Sequence, residues 1–311
     1  MNQLFSSCCL HIRQEFIQSD LVSMADLGFQ TSGSADMDVV IRHKHLCHSE
    51  EQFTMKRQII VQNTLERHDI HVPDVKNVPR VALLGSGGGQ RAHTSFLGVI
   101  QQLYKEELLD GFHYVAGVSG STWSMSSLYQ NPTWSQDAVK VTEEALLNMS
   151  KGTGPTLLEA VKWFMEREKH GNFSLSDVWG AITCRIKGVP LETRTLTEDK
   201  HGANPYPLYS TVERHCFDCK KTKEMWFEFS PHESGFLQHG AYVDTSLLNN
   251  NFDGGHVKPS HKKPVNMVQL QGMCGCAMGD FAQIVKTIED ILWNWGMLPH
   301  HFNTSIFGTI L

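Results

Sequence analysis

The sequence predicts an α/β fold: a central, mostly parallel sheet with flanking helices and a sharp strand-to-helix turn that presents a nucleophile. Three observations predict it. Residues 112–128, FHYVAGVSGSTWSMSSL, pass from apolar β-formers through Gly117-Val118-Ser119-Gly120-Ser121 into a run that can continue as a helix. Residues 80–90, RVALLGSGGGQ, take an apolar strand into a loop holding Gly85, Gly87, Gly88 and Gly89. Between them, residues 91–105 place Phe96, Leu97, Ile100 and Leu103 at helical spacing. Strand, glycine loop, helix and strand make one βαβ unit, and its right-handed crossover sets both strand tips on the same side of the sheet.

The remaining elements follow in order. Residues 1–48 mix small polar residues, histidines and methionines without period and read as a loosely ordered N-terminal extension. Residues 49–311 form the folded part. Residues 49–67 are a helix carrying Phe53, Ile60, Val61 and Leu65 at helical spacing, with Ser49 and Gln52 as a capping box. A turn at Pro73 leads to the first core strand at 81–84. Beyond the Ser119 turn, Asn131-Pro132 closes its helix. Residues 138–149, 156–169 and 174–186 are helical by period, 207–212 and 225–229 are strands, and 281–295 is an amphipathic helix.

The chemistry is concentrated in the two glycine-rich turns. A serine between glycines at a strand-to-helix turn is forced into strained backbone angles, and its hydroxyl stands above the carboxyl end of the sheet. Ser119 is therefore the candidate nucleophile. The N–H groups of Gly88 and Gly89 are expected beside it as an oxyanion hole, where one donor is worth about 10²–10³ in rate. Gly87 lets the loop backbone approach a bound substrate. A phosphate-binding P-loop is excluded because Gln90-Arg91 follows the last glycine where Lys-Ser/Thr is required. A dinucleotide fingerprint counted from Gly85 fails at Gln90, and counted from Gly87 it needs Ala92 in the last place.

GSGGGQRA followed by YVAGVSGSTW resembles the cytosolic phospholipase A2 family of patatin-like serine acyl hydrolases. NFSLSDVW at 172–179, PYP at 205–207, WFEFSPHE at 226–233, GF at 235–236 and GAYV at 240–243 continue the resemblance in order. It covers roughly residues 50–279 and is nearest to the calcium-independent gamma type, which lacks the calcium-binding membrane module. It implies a patatin-like catalytic domain. It also implies hydrolysis of fatty acyl esters of glycerophospholipids through an acyl-serine on Ser119, with Gly88 and Gly89 as oxyanion donors. Arg91 would hold the lipid phosphate, and a guanidinium fork suits phosphate oxygens.

The family uses an aspartate in place of a histidine base, in a D-Ser/Ala-Gly motif far downstream. No such motif occurs here, so residues 49–311 are expected to be the N-terminal part of the catalytic domain. Asp253, in Asp253-Gly254-Gly255, is the minority candidate for the dyad; an Asp-Gly pair is also an ordinary turn signal. Two further readings stand beside the phospholipase: a catalytically impaired lipid-binding remnant, and an α/β serine esterase with a histidine base, for which His93 is the nearest candidate.

Composition limits the partners. With 27 Lys+Arg against 33 Asp+Glu there is no basic stripe, so nucleic acid is not an expected partner and attraction to anionic membrane is not encoded. No run of eighteen apolar residues occurs, and residues 1–16 lack the basic start and apolar length of a signal peptide. The expected location is the cytosol, with peripheral contact to intracellular membranes. Cys216, Cys219, Cys274 and Cys276 are read as free thiols, not a zinc site, and neither a metal nor a cofactor is expected.

Overall fold

The computed structural model describes residues 37–42, 45–169, 173–199, 203–212, 226–258, 262–275 and Lys286. Its first helix, α1 (His48–Arg67), starts one residue before the expected position, and its cap is Cys47, whose Sγ accepts the Glu50 N–H at 3.4 Å. Ser49 therefore lies within the first turn, and the Gln52 side chain is engaged by His48 at 2.9 Å. The capping box expected at Ser49 does not form.

β2 (Ala82–Gly85) leads through the glycine loop into α2 (Gly89–Lys105), then to β3 (Tyr114–Val118) and α3 (Gly120–Leu128). The predicted βαβ unit is present with both strands parallel, Gly85 pairing with Gly117 at their tips. Helices α4 (Ala138–Lys151), α5 (Leu157–Lys169) and α6 (Leu175–Lys187) follow, the last opened by a capping box of Ser174 and Asp177.

β4 (Tyr206–Val212) lies parallel to β3. β5 (Trp226–Phe229) runs antiparallel to β4, and β6 (Glu233–Phe236) and β7 (Ala241–Asp244) follow it antiparallel through short turns. β1 (Val39–Ile41) pairs with β7, so part of the segment expected to be loosely ordered is the edge strand of the main sheet. The strand order is β1-β7-β6-β5-β4-β3-β2, and the parallel character is confined to β2, β3 and β4, the part that carries the site. A separate hairpin, β8 (Phe252–Asp253) with β9 (His256–Val257), precedes α7 (Met267–Gly275). Of the expected helix over 281–295 only Lys286 is described, and the thiols at 216, 219 and 276 lie outside the described residues.

One sheet face makes the core. Val115, Tyr209, Phe227, Phe229 and Phe236 pack with Phe96, Leu97 and Ile100 of α2, Met125 and Leu128 of α3, and Leu270 and Met273 of α7. Every residue of α3 is buried, which explains its lack of amphipathic period: it has no solvent face. α6 and α7 cross closely because each gives a glycine to the contact. A Cβ on Gly180 would meet the Val268 carbonyl carbon at 2.8 Å, and one on Gly272 would meet that of Ser176 at 2.6 Å. Arg167 of α5 ties the layer together, bonding Asp177 at 2.9 Å and Gln269 at 2.7 Å.

The opposite sheet face meets α1, where Phe53 packs edge-on to Tyr206 at 4.9 Å. Arg57, fully buried, satisfies its guanidinium with Phe112 O, Ala203 O and Asp110. Glu228 on β5 has no such partner among the described residues. Burial, and secondarily the Glu50 charge, pushes its carboxyl up to about 7. Between pH 4.5 and 7 the folded chain then binds the extra proton, so this group's contribution to stability falls as pH rises through that window. Glu228→Gln should remove that slope and stabilise the protein at pH 8 by about 1–3 kcal/mol, read by urea unfolding at pH 5 and pH 8. An equal shift at both pH values would refute the assignment.

Candidate active site

The tips of β2 and β3 carry glycines because α3 turns back over them. A Cβ on Gly85 would sit 2.6 Å from that of Ser121, and one on Gly117 2.7 Å from Met125 Sδ. Ser119 fills the one residue between β3 and α3, with φ 53° and ψ −124°. Positive φ in a serine is a strained backbone, held here by the packing of α3 on the sheet. Its carbonyl accepts the Thr122 N–H at 2.9 Å, and its own N–H donates to Cys274 O at 3.1 Å.

The glycine loop closes onto this turn. Ser121 Oγ donates to Ser86 O at 2.6 Å. Gly120 leaves no room for a side chain, since a Cβ there would lie 2.8 Å from Gly89 N. Gly87 faces the serine: its missing Cβ would be 3.3 Å from Ser119 Cβ and 3.8 Å from Ser119 Oγ. Gly88 and Gly89 have φ of 140° and 58°, conformations open to glycine, and they begin α2. First-turn amides have no intrahelical acceptor and sit at the positive end of the helix, so they are suited to an oxyanion. The loop thus brings Gly87 to Ser119 and Gly89 to Gly120, while Gly88 packs toward Ala92.

Arg91 stands on the first turn of α2, exposed. It lines a groove of about 410 Å³ with Gly85 to Gly88, Leu84, Ala92, Phe96, Val99 and Ser121; Ser119 is not in its wall. The groove follows β2, the last strand of the sheet among the described residues.

Ser119 Oγ is buried and donates to Gly275 O at 3.2 Å. This acceptor, at the C-terminus of α7, was missed from sequence. A carbonyl takes a hydrogen bond but is no base near neutral pH. His93 does not serve either. It is fully buried on α2, its Nδ1 lies 3.0 Å from Ser124 Oγ, and burial with the Lys187 charge pushes its pKa down to about 3. Because Ser124 Oγ donates to His93 O, the ring proton sits on Nδ1, and the imidazole is a neutral strut.

Asp253 is placed away from the site. It is exposed, ion-paired with Lys258 at 2.9 Å, on a hairpin whose Gly255 carbonyl accepts from Asp38 and Val39. That is the β1 edge, five strand spacings from β3, or roughly 20 Å or more. Asp-Gly-Gly here forms the hairpin turn, with φ of 55° and 81° at Gly254 and Gly255, and is not brought to Ser119.

Cys47, Glu50 and Glu233 offer ligand atoms within 4.8 Å of one another. Arg42 already occupies Glu233, and Tyr114 bonds Glu50 at 3.0 Å, so the cluster is explained without an ion.

A family profile for the lysophospholipase catalytic domain matches residues 81–306, which include both loops. The chain belongs to that family. It is 34% identical over 266 residues to cytosolic phospholipase A2 zeta of Mus musculus, covering 79% of this chain and 30% of that protein. To cytosolic phospholipase A2 gamma of Homo sapiens it is 30% identical, covering 84% of this chain and 48% of that protein. The gamma type, expected to be nearest, matches at 30% identity, below the 34% of the zeta type. Among solved structures, human GIVD cytosolic phospholipase A2 superposes with a TM-score of 0.68 at 27% identity, covering 78% of this chain and 34% of that one. The chain spans between 30% and 48% of the length of these curated relatives. Among the described residues no helix is long and apolar enough to cross a membrane.

Proposed function

We propose that the family fold here serves hydrolysis of fatty acyl esters of glycerophospholipids, as a phospholipase A2 or lysophospholipase with Ser119 as nucleophile. The observation that carries this reading is the closure of the glycine loop on Ser119, with Gly87 facing its hydroxyl and Gly89 against Gly120. The Ser119 oxygen attacks the acyl carbonyl carbon. The N–H groups of Gly88 and Gly89 take up the negative charge that develops on the carbonyl oxygen. The ester C–O bond then breaks, the lysolipid alcohol leaves with a proton, and water cleaves the acyl-serine. Arg91 at the groove mouth holds the phosphate as a bidentate cation. The cytosolic relatives support a cytosolic protein that meets its substrate at a bilayer surface. A complex of the human GIVD relative with methyl gamma-linolenyl fluorophosphonate supports a reactive serine in this fold.

The test is acyl release from phosphatidylcholine and lysophosphatidylcholine, together with fluorophosphonate labelling of Ser119. One observation favours a second reading, a lipid-binding chain without turnover: among the described residues the Ser119 hydroxyl is bonded to a carbonyl and to no carboxylate or imidazole. Labelling of Ser119 without acyl release would select it.

Two substitutions separate the candidate bases. Asp253→Asn should leave labelling and turnover within about twofold, since the carboxylate lies on the far edge. His93→Gln should leave the pH profile of labelling unchanged between pH 5 and 9, because His93 is neutral throughout that range. An inflection near pH 6–7 that disappears in His93→Gln would instead establish the serine–histidine esterase.

A further inference from the structure

The nucleophile helix is gripped at its far end by a buried lysine. Lys187 is the last residue of α6, with 1% of its surface exposed. Its Nζ reaches Ser126 Oγ at 2.7 Å, Ser127 Oγ at 3.3 Å and, at the limit of a hydrogen bond, Trp123 O at 3.5 Å. Both serine hydroxyls spend their own protons on Trp123 O, at 2.9 and 3.1 Å, so they can only accept from the lysine. An ammonium has three N–H donors and no acceptor, and three oxygens of α3 meet it. No carboxylate lies within ion-pair distance of Nζ among the described residues. The charge is met instead by hydroxyl dipoles and by the C-terminal, negative ends of two helices, α3 and its own α6.

We propose that Lys187 is the positioning residue for the nucleophile: in its ammonium form it fixes the last turn of α3 and thereby the rotation of the helix that presents Ser119. Seven residues separate Ser119 from Ser126, about 10 Å along the helix, so the lysine acts through the rigid helix and touches no substrate. α3 needs such a hold. It has no solvent face and starts from a strained residue, and its N-terminal turn is fixed to the glycine loop through Ser121. His93, bonded to Ser124, braces the middle of the same helix. The titratable groups near Nζ are Cys184 on α6, Glu192 and Arg194 on the following loop, and His93 on α2; α3 itself carries no titratable side chain. Burial pulls the Lys187 pKa down to about 8, so the ammonium is the form present at neutral pH and is lost on mild alkalinisation.

This inference rests on Ser119 as the nucleophile, and its test separates the two. The rate of Ser119 labelling by a fluorophosphonate is measured from pH 6.5 to 9.5 in the wild type, Lys187→Met and Ser126→Ala. Lys187→Met should label about tenfold more slowly below pH 7.5, and the ratio to wild type should approach one above pH 8.5. Ser126→Ala, a small change that keeps the fold if Lys187→Met does not, should lose about threefold with the same convergence. A ratio constant across pH would mean packing alone and would overturn the proposal, as would unchanged labelling in folded Ser126→Ala. If wild-type Ser119 does not label at all, the hydrolase reading fails while the lysine is still judged. Amide exchange in α3 should then be faster in Ser126→Ala than in wild type at pH 7 and equal at pH 9.5; equal exchange at both would refute it.

Discussion

Replacing Ser119 by alanine should abolish acyl release and fluorophosphonate labelling, with a loss of at least about 10⁴-fold where turnover is measurable. The fold should be nearly unaffected. The change removes one 3.2 Å hydrogen bond to Gly275 O, worth about 1 kcal/mol, and keeps a Cβ in the same strained backbone. Melting within a few degrees of wild type, with chemistry gone, is the expected pair of results. The neighbouring hydroxyls provide the control. Ser121 Oγ is committed to Ser86 O at 2.6 Å, so Ser121→Ala should loosen the loop and slow labelling by about tenfold without abolishing it. If Ser119→Ala retained turnover while Ser121→Ala lost it, the nucleophile would have been assigned to the wrong hydroxyl.

The βαβ unit and its two loops were legible because their signals are local. The apolar runs at 82–85 and 114–118 fix the strands, and the glycines at 85, 117 and 120 mark where α3 and the glycine loop pack without room for a side chain. What lies opposite Ser119 was not legible. Its hydrogen-bond acceptor is 156 residues away on α7, a short helix buried on every side, whose sequence MVQLQGMCG carries no amphipathic period. Lys187 was passed over because a lysine at a helix end ordinarily faces water; only the three-dimensional packing of α6 on α3 turns it inward. β1 was missed for a related reason. Three residues of an edge strand show no alternation strong enough to stand out from a polar segment, and their partner strand, β7, begins two hundred residues later. Asp253 illustrates the opposite error risk. Asp-Gly-Gly has the composition of a catalytic motif and of a turn, and only the sheet order, which sets it at the β1 edge, distinguishes them.

The second large effect is expected at Gly120, and it tests the contact between the loops without touching the reacting oxygen. Gly120 has no positive φ, so alanine meets no backbone penalty there. Its added Cβ would nevertheless lie 2.8 Å from Gly89 N and 2.7 Å from Gly89 C, against backbone that cannot rotate away. The glycine loop must shift, and with it the Gly88 and Gly89 amides proposed as the oxyanion donors. Losing an oxyanion donor costs about 10²–10³ in rate, and Gly120→Ala should approach that loss in labelling and turnover while Ser119 and its hydroxyl remain. Three other glycines sort the cause. Gly98→Ala in α2 meets nothing within 4 Å and should leave labelling unchanged while stabilising the helix by about 1 kcal/mol. Gly89→Ala has room but a φ of 58°, so it should cost stability more than rate. Gly87→Ala would set a methyl 3.8 Å from Ser119 Oγ and should block large acyl substrates more than a small fluorophosphonate. Labelling of Gly120→Ala at the wild-type rate would mean that the amides of the loop do not serve Ser119, and the acyl-transfer reading would lose its oxyanion hole.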